Sequence, residues 1–345
     1  MLSEELVGRQ IVLRYHRGEP AGRPPLSDLV GELIELSAEA ATVRTRSGQL
    51  RTVPLSNVLI AKPVGASRRE ILQLARIGRL GWRAAHRTEL DGWLLSADHG
   101  WTGRANSVLP LRMPDRPLDE LLAAARAFYA EHGLPLQLQL PLPARAQLDG
   151  VLASRGWPRG RPAVVLTRRL AGPSGGAAPL AGPATEEPPV GPATEEPPVG
   201  PATADRPPVE LAGAPDDDWL AGYHYRGGPL PEHARQLLLR HDLVTFASIR
   251  LGGRTVAIAR GCVDAGWLGI TSVEVAPDCR RHGLATALVT RLAGWAAARG
   301  AVHCYLQVDE NNQPALALYA RLGFIEHHRY HYRAEPAEAV PAGGG

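Results

Sequence analysis

The sequence has almost no lysine. Of its 38 basic residues only Lys62 is not arginine, a skew that reads as coding bias rather than as a preference for forked phosphate contacts. Cysteine is scarce: Cys262, Cys279 and Cys304 are the only three. They cannot all pair and have no metal-ligand spacing, so they read as reduced thiols in a cytoplasmic protein. No apolar run approaches the ~20 residues that a membrane-crossing helix needs. The opening MLSEELVGRQ has neither the basic start nor the apolar core of a secretory signal. Aromatic residues are only 5% of the chain. Membrane, secreted and disulfide-scaffold classes are therefore not expected.

Glycine and proline are plentiful, with 37 and 31 in 345 residues, so part of the chain is expected to be linker or tail. The remainder has an ordinary globular composition, 44% apolar and 21% charged, with length for two or three domains. Net charge is +3. Residues 63–170 hold most of the positive excess, but it is scattered rather than clustered. A solvated surface is expected there, and neither nucleic acid nor a membrane is expected as a partner.

The sharpest boundary is internal. GPATEEPPV occurs at 182–190 and again at 191–199, and a drifted copy, GPATADRPPV, follows at 200–209. Residues 171–206 have little to bury and predict an extended, disordered linker; a disordered tail is expected over 334–345. Residues 1–62 alternate in short runs with a Ser47-Gly48 turn, which predicts four or five strands of a small barrel. That segment resembles SH3-like barrels, with a docking or scaffolding role as the plain alternative to a binding one. Residues 63–170 predict helices at 67–80, 117–132 and 144–155, and the run LPLQLQLPL is a period-two strand. The same order of elements returns over 207–333. ARAFYAEHGLPLQLQL falls on AGWAAARGAVHCYLQV, and VLASRGW on LYARLGF, as two diverged copies of one α/β unit would.

Two motifs carry the chemistry. The first is VEVAPDCRRHGLATAL, residues 273–288, with the form Arg280-x-x-Gly283-x-Ala285. A strand, a stop at Pro277 and an amphipathic helix turn successive backbone N–H groups toward one point, at a helix end worth about half a positive charge. Gly283 admits a ligand to the backbone and Ala285 leaves the next turn uncrowded. Taken alone, this segment is either a pyrophosphate cradle or an ordinary strand–helix turn with a solvated Arg280-Arg281 pair. The second is LQVDENNQPALALYARLGF, residues 306–324, which joins a strand, Asn312, a helix, Tyr319 and a closing Gly323-Phe324.

In this order and about thirty residues apart, the two motifs resemble the GNAT superfamily of acetyl-CoA-dependent N-acetyltransferases, over roughly residues 207–333. The resemblance implies an α/β (α+β) fold with a mixed sheet, in which the strand ending at Pro277 splays from the strand 301–308. It implies that acetyl-CoA lies in that split. Val273 and Val275 would hold the pantetheine arm through their backbone. The loop Arg280, Arg281, His282, Gly283, Leu284, Ala285 and Thr286 would hold the pyrophosphate. Asn312 would bind the arm and Tyr319 would sit beside the sulfur.

Amine acylation then needs an oxyanion donor, which the backbone at Val275 can supply. It needs an acid for the thiolate, for which Tyr319 is suited. It also needs a base, either Glu274 or water. Tyr319 as a plain buried tyrosine and Glu274 as a solvated strand carboxylate are the alternatives. His224, Tyr225, His327, His328 and His331 are candidate liners of an acceptor pocket. The middle segment has PLRMPDRP where the cradle stands in the C-terminal half, and Leu152 falls on Tyr319. It therefore reads as a degenerate GNAT-like unit, as in tandem acetyltransferases with one silent half. Its polar run 102–107 is either a ligand contact or scaffold.

The expected activity is transfer of acetyl from acetyl-CoA to a primary amine, on a small molecule or on a protein lysine or N-terminus, by a cytoplasmic monomer or homodimer. Two alternatives stand beside it. One is an acetyl-CoA-sensing module without turnover. In the other, the barrel and the basic segment anchor the enzyme to nucleic acid or protein.

Overall fold

The computed structural model describes residues 2, 6–7, 10–17, 26–45, 47–113, 115–170, 207–224 and 230–336. The repeat segment 171–206, Tyr225 and residues 337–345 lie outside the described residues. The chain divides into two compact units. The first comprises residues 1–76, 86–168 and 307–345; the second comprises 77–85 and 169–306.

The first unit opens with five short strands, β1 (Gln10–His16), β2 (Leu26–Leu36), β3 (Ala40–Thr45), β4 (Leu50–Pro54) and β5 (Val58–Pro63). They pair antiparallel in the order β4-β3-β2-β1-β5. Alternation puts Ile11, Leu13, Leu33, Ala41, Val43 and Val53 on one buried face. Helix α1 (Arg68–Leu80) follows. It is started by a reciprocal cap in which the Ser67 N–H donates to Glu70 and the Glu70 N–H to the Ser67 hydroxyl.

Next come β6 (His86–Leu90), β7 (Trp93–Ala97), β8 (Ser107–Pro110), α2 (Leu118–Glu131), β9 (Gln137–Leu142), α3 (Ala146–Ser154) and β10 (Ala163–Arg169). The helices bury their apolar stripes on the sheet: Leu121, Leu122, Ala125 and Tyr129 of α2 join Trp93, Leu95, Leu138 and Leu140 in one core. The polar run at 102–107 is a self-satisfied turn. Asn106 Oδ1 accepts the N–H groups of Asp98 and Gly100 at 2.6 and 2.9 Å, and the Ser107 hydroxyl donates to the Gly103 C=O.

The second unit contains β11 (Val209–Ala212), α4 (Asp217–Ala221), α5 (Ala234–Leu239), β12 (Val244–Leu251), β13 (Arg254–Asp264), β14 (Trp267–Val275), α6 (Leu284–Ala297) and the start of β15 (His303–Asp309). Its strand order is β11-β12-β13-β14-β15; the steps to β14 are antiparallel and β14–β15 is parallel. The first unit repeats this order: β6-β7-β8 is antiparallel and β8–β9 parallel. Two copies of one topology are what the sequence similarity of the halves predicts.

Helix α7 (Gln313–Arg321) and strand β16 (Ile325–Ala334) end the described chain. A cut at residue 207 does not coincide with the division into units. β16 lies inside the first unit, antiparallel to β9 on one side and to β10 on the other. Several of its side chains are bonded there: His331 Nε2 and Arg333 Nε meet Asp149 Oδ1 at 2.7 and 2.5 Å, and the Tyr330 hydroxyl donates to Gln307. The middle segment supplies β9 and β10 but not the strand between them.

This predicts the behaviour of a chain split within 171–206. Co-expressed, the two pieces copurify. The first piece alone leaves two strand edges open and aggregates. A first piece that unfolds cooperatively by itself would contradict this strand exchange.

Candidate active site

The site is built where a parallel ladder stops. β14 and β15 pair over four positions, from Trp267↔His303 to Ile270↔Leu306, and no further. Gly269 is required in that ladder, because a Cβ there would meet the Tyr305 hydroxyl at 2.5 Å. Beyond Ile270 the strand bulges. Its register against β13 slips between Ile258 and Arg260, and Ser272 takes a left-handed φ of 54°, unfavourable for a side chain with a Cβ. The hydroxyls of Thr271 and Ser272 are shielded from solvent and have no hydrogen-bond partner among the described residues.

Past the bulge, the Ala276 N–H donates to the Val256 C=O at 2.8 Å. Alternate residues of an antiparallel strand turn their peptide groups to opposite sides. Val275, and Val273 two residues back, therefore direct theirs away from β13, to the edge that β15 has left free. The Val275 C=O is met by Arg280 Nε at 3.2 Å. The Val275 N–H remains as a donor on that edge.

The chain then turns through a short 3-10 segment, Pro277–Cys279, into the loop before α6. Arg254 pairs with Asp278 and ties this turn to β13. Arg281 and Gly283 both have left-handed φ values, 65° and 76°. Gly283 is the N-cap residue of α6, and no side chain caps the helix. The contrast is local: Asp216 caps α4 and Asn312 caps α7. At α6 the first-turn N–H groups, which lack intrahelical acceptors, converge with the helix dipole on a seat that carries no side chain. The helix is fixed from behind by Leu284, Leu288, Val289 and Leu292, all buried.

Glu274 lies between Val273 and Val275 on the strand. It lines a cleft of about 670 Å³ together with Asp218, His224, Val256, Ile258 and Arg280. One carboxylate oxygen accepts the His224 backbone N–H at 2.8 Å, and the other lies 3.4 Å from His224 Nδ1. Burial raises the Glu274 pKa above the usual carboxylate value, against the opposing pull of the His224 N–H. A carboxylate held this way is suited to taking a proton.

The remaining candidates divide between the two units. Asn312 spends its side-chain oxygen on the N–H of Ala315 at 3.2 Å. Tyr319 is buried at 6% exposure, edge-on to Phe324. Both belong to the first unit. So do His327, His328 and His331. Burial lowers the first two to pKa values of about 4 and about 3, and His331 is bonded to Asp149. His224 lines the cleft; Tyr225 lies outside the described residues. Sequence reasoning missed the bulge at Ser272 and the His224 backbone contact to Glu274, which no spacing announces. In the middle segment Leu152 is fully buried, and α2 starts behind Pro117, which has no N–H to offer.

A mixed sheet with a parallel ladder that stops short, a free strand edge and an uncapped glycine-started helix define an acyltransferase of the GNAT class. Comparison with known proteins agrees. Residues 69–333 match a family model described as "Probable histone acetyltransferase Rv0428c C-terminal", and residues 6–62 match "Rv0428c N-terminal Sm-like domain"; the chain belongs to this family of acetyltransferases. Its small β domain is thus described as Sm-like rather than SH3-like.

The chain is 32% identical to the "Probable histone acetyltransferase Rv0428c" of Mycobacterium tuberculosis, covering 99% of this chain and 98% of that one. It is 24% identical to the "Uncharacterized N-acetyltransferase YobR" of Bacillus subtilis, covering 76% and 98%. Its fold is similar to that of a GCN5-related N-acetyltransferase from Kribbella flavida, with a TM-score of 0.50 and 16% identity over 80% of this chain and 98% of the other.

If Glu274 is the base, its protonation switches activity off as pH falls. The raised pKa puts the acid limb of kcat/KM above the ordinary glutamate range. Glu274→Gln should flatten that limb and lower kcat/KM by roughly 10²–10⁴-fold. An unchanged pH profile in Glu274→Gln would remove Glu274 from the role.

Proposed function

We propose that the chain transfers an acetyl group from acetyl-CoA directly to a primary amine, in the cytoplasm. The observation that carries this is continuous in the chain: the free edge of β14 runs from Val273 to Val275 and leads into the uncapped N-terminus of α6. Unpartnered Thr271 and Ser272 hydroxyls, an outward Val275 N–H and a glycine at the helix cap suit an extended amide-containing arm ending in a pyrophosphate. Acetyl-CoA supplies the thioester. Val273 and Val275 hold the arm, and the loop from Arg280 through Arg281, His282, Gly283, Leu284 and Ala285 to Thr286 takes the pyrophosphate.

The acceptor enters as an ammonium with a pKa near ~10 and is drawn by Glu274 and Asp218 in the cleft. Glu274 removes a proton, directly or through water. The amine nitrogen attacks the thioester carbon, and the Val275 N–H donates to the oxygen that gathers charge. The C–S bond breaks as the C–N bond stays, and the thiolate leaves. Tyr319 gives the thiolate a proton, a role that rests on the second motif and on a hydroxyl of suitable acidity, and is reprotonated through water by the second proton that the acylated nitrogen must lose. Asn312 supports the arm through the part of its amide not used as a cap. The relative from M. tuberculosis is named a probable histone acetyltransferase, which favours a protein lysine as the amine.

Two variants divide the assignment. Calorimetric titration of acetyl-CoA should give one equivalent bound to the intact chain and none to Gly283→Asp, whose carboxylate fills the anion seat. Tyr319→Phe should bind acetyl-CoA as the intact chain does, yet lose roughly 10²-fold or more in kcat. Equal binding by the intact chain and Gly283→Asp would place the donor elsewhere. An intact chain that binds acetyl-CoA but acetylates no amine would favour the sensing module.

A further inference from the structure

The first unit carries a second cleft, of about 260 Å³, at the start of α3. Arg145 and Arg68 line it, with Met113, Pro143 and Gln147 among the others. Arg145 is only 2% exposed. Its Nε donates to the Pro110 C=O at 2.6 Å and its Nη1 to the Ala144 C=O at 3.0 Å. Its Nη2 is shielded from solvent and has no acceptor among the described residues.

A buried guanidinium normally faces a carboxylate, because an uncompensated buried charge is costly. Among the described residues no aspartate or glutamate lines this cleft. The nearest acid in sequence, Asp149 in the first turn of α3, is engaged by Arg333 and His331. The neighbour is instead a second cation. Burial first, and repulsion from Arg68 second, lower the Arg145 pKa to about 10. Helix α3 adds to the same potential: its N-cap residue is Arg145 itself, no side chain caps its first turn, and, with the Ala146 N–H donated to the Pro143 C=O, the Gln147 and Leu148 amides are the ones it offers. Two guanidinium groups and a helix N-terminus therefore share one cleft with no counter-charge lining it.

We propose that this cleft binds a phosphate group, free or as a monoester, between Arg145, Arg68 and the Gln147 and Leu148 amides of α3. A dianion matches the two cations. A tetrahedral oxyanion can address donors from three directions, whereas a planar carboxylate is filled by one guanidinium fork. The cleft is not a remnant of a lost pyrophosphate cradle. In the duplicated order α3 falls on α7, not on α6, so this is an anion site of the catalytically silent segment in its own right.

The test is calorimetric titration of inorganic phosphate into the intact chain and into Arg68→Ala and Arg145→Met, at fixed ionic strength. Arg68 is exposed, so its loss leaves the fold intact even if Arg145→Met does not fold. Arg68→Ala should weaken phosphate binding about tenfold, the scale of one charge-assisted contact, and Arg145→Met should abolish it. Glycerol phosphate binding as tightly as phosphate would assign a monoester, and weaker binding the free ion. An unchanged phosphate affinity in Arg68→Ala would overturn the site. An equal affinity for acetate would overturn the assignment to phosphate.

Discussion

The parallel ladder between β14 and β15 ends at Ile270↔Leu306, while β14 continues for another turn of the pleat and more. That early end leaves peptide groups of Val273 and Val275 without a strand to bond. A sheet that closed this edge would have nowhere to hold an extended donor, so the free edge is the constraint on which the proposed chemistry depends. The left-handed Ser272 and the shielded, unpartnered hydroxyls beside it are the local cost. Such strain persists only where the surrounding structure imposes it. Here the imposing elements are β13, which keeps β14 paired on its other side, and α6, whose buried leucines fix the loop that precedes it.

The same topology, used twice, comes to different ends in the two units. In the second it ends in a glycine-started helix with open amides. In the first the corresponding helix, α2, begins behind a proline, and the position that falls on Tyr319 is a core leucine. What the first unit keeps is the architecture, and it keeps it by taking β16 from the far end of the chain as the strand between β9 and β10. Its polar residues are spent internally, as with Asn106 in the 102–107 turn and Asp149 against β16. Among the described residues Arg145 is one exception, a buried cation whose Nη2 has no partner; Arg168 Nε and His331 Nδ1 are others.

Much of this was legible in the sequence. Period-two leucines announced β9, the i, i+3, i+4 stripes announced α1, α2 and α6, and the two motifs announced the acetyltransferase class. Gly283 could be read because only a residue without a Cβ sits easily at a left-handed helix cap that a ligand must approach. Other features are properties of pairing and not of local pattern. β16 has an ordinary strand sequence, and nothing in IEHHRYHYRA says which neighbours it joins. The bulge at Ser272 follows from register against β13. Asn312 was read as a ligand for the donor arm, yet its oxygen caps α7, a role that the same residue at the same spacing serves equally well. His224 acts on Glu274 through its backbone N–H, which side-chain identity does not encode.

The central claim is that the free edge of β14 and the first turn of α6 form one binding surface for acetyl-CoA. Amide hydrogen exchange of the intact chain, with and without saturating acetyl-CoA, tests it most directly. The account predicts slowed exchange at Val273, Val275 and the amides from Arg281 to Thr286, with the buried strands β12 and β13 unchanged. Protection confined to other residues, or none on the β14 edge while acetyl-CoA is bound, would contradict it.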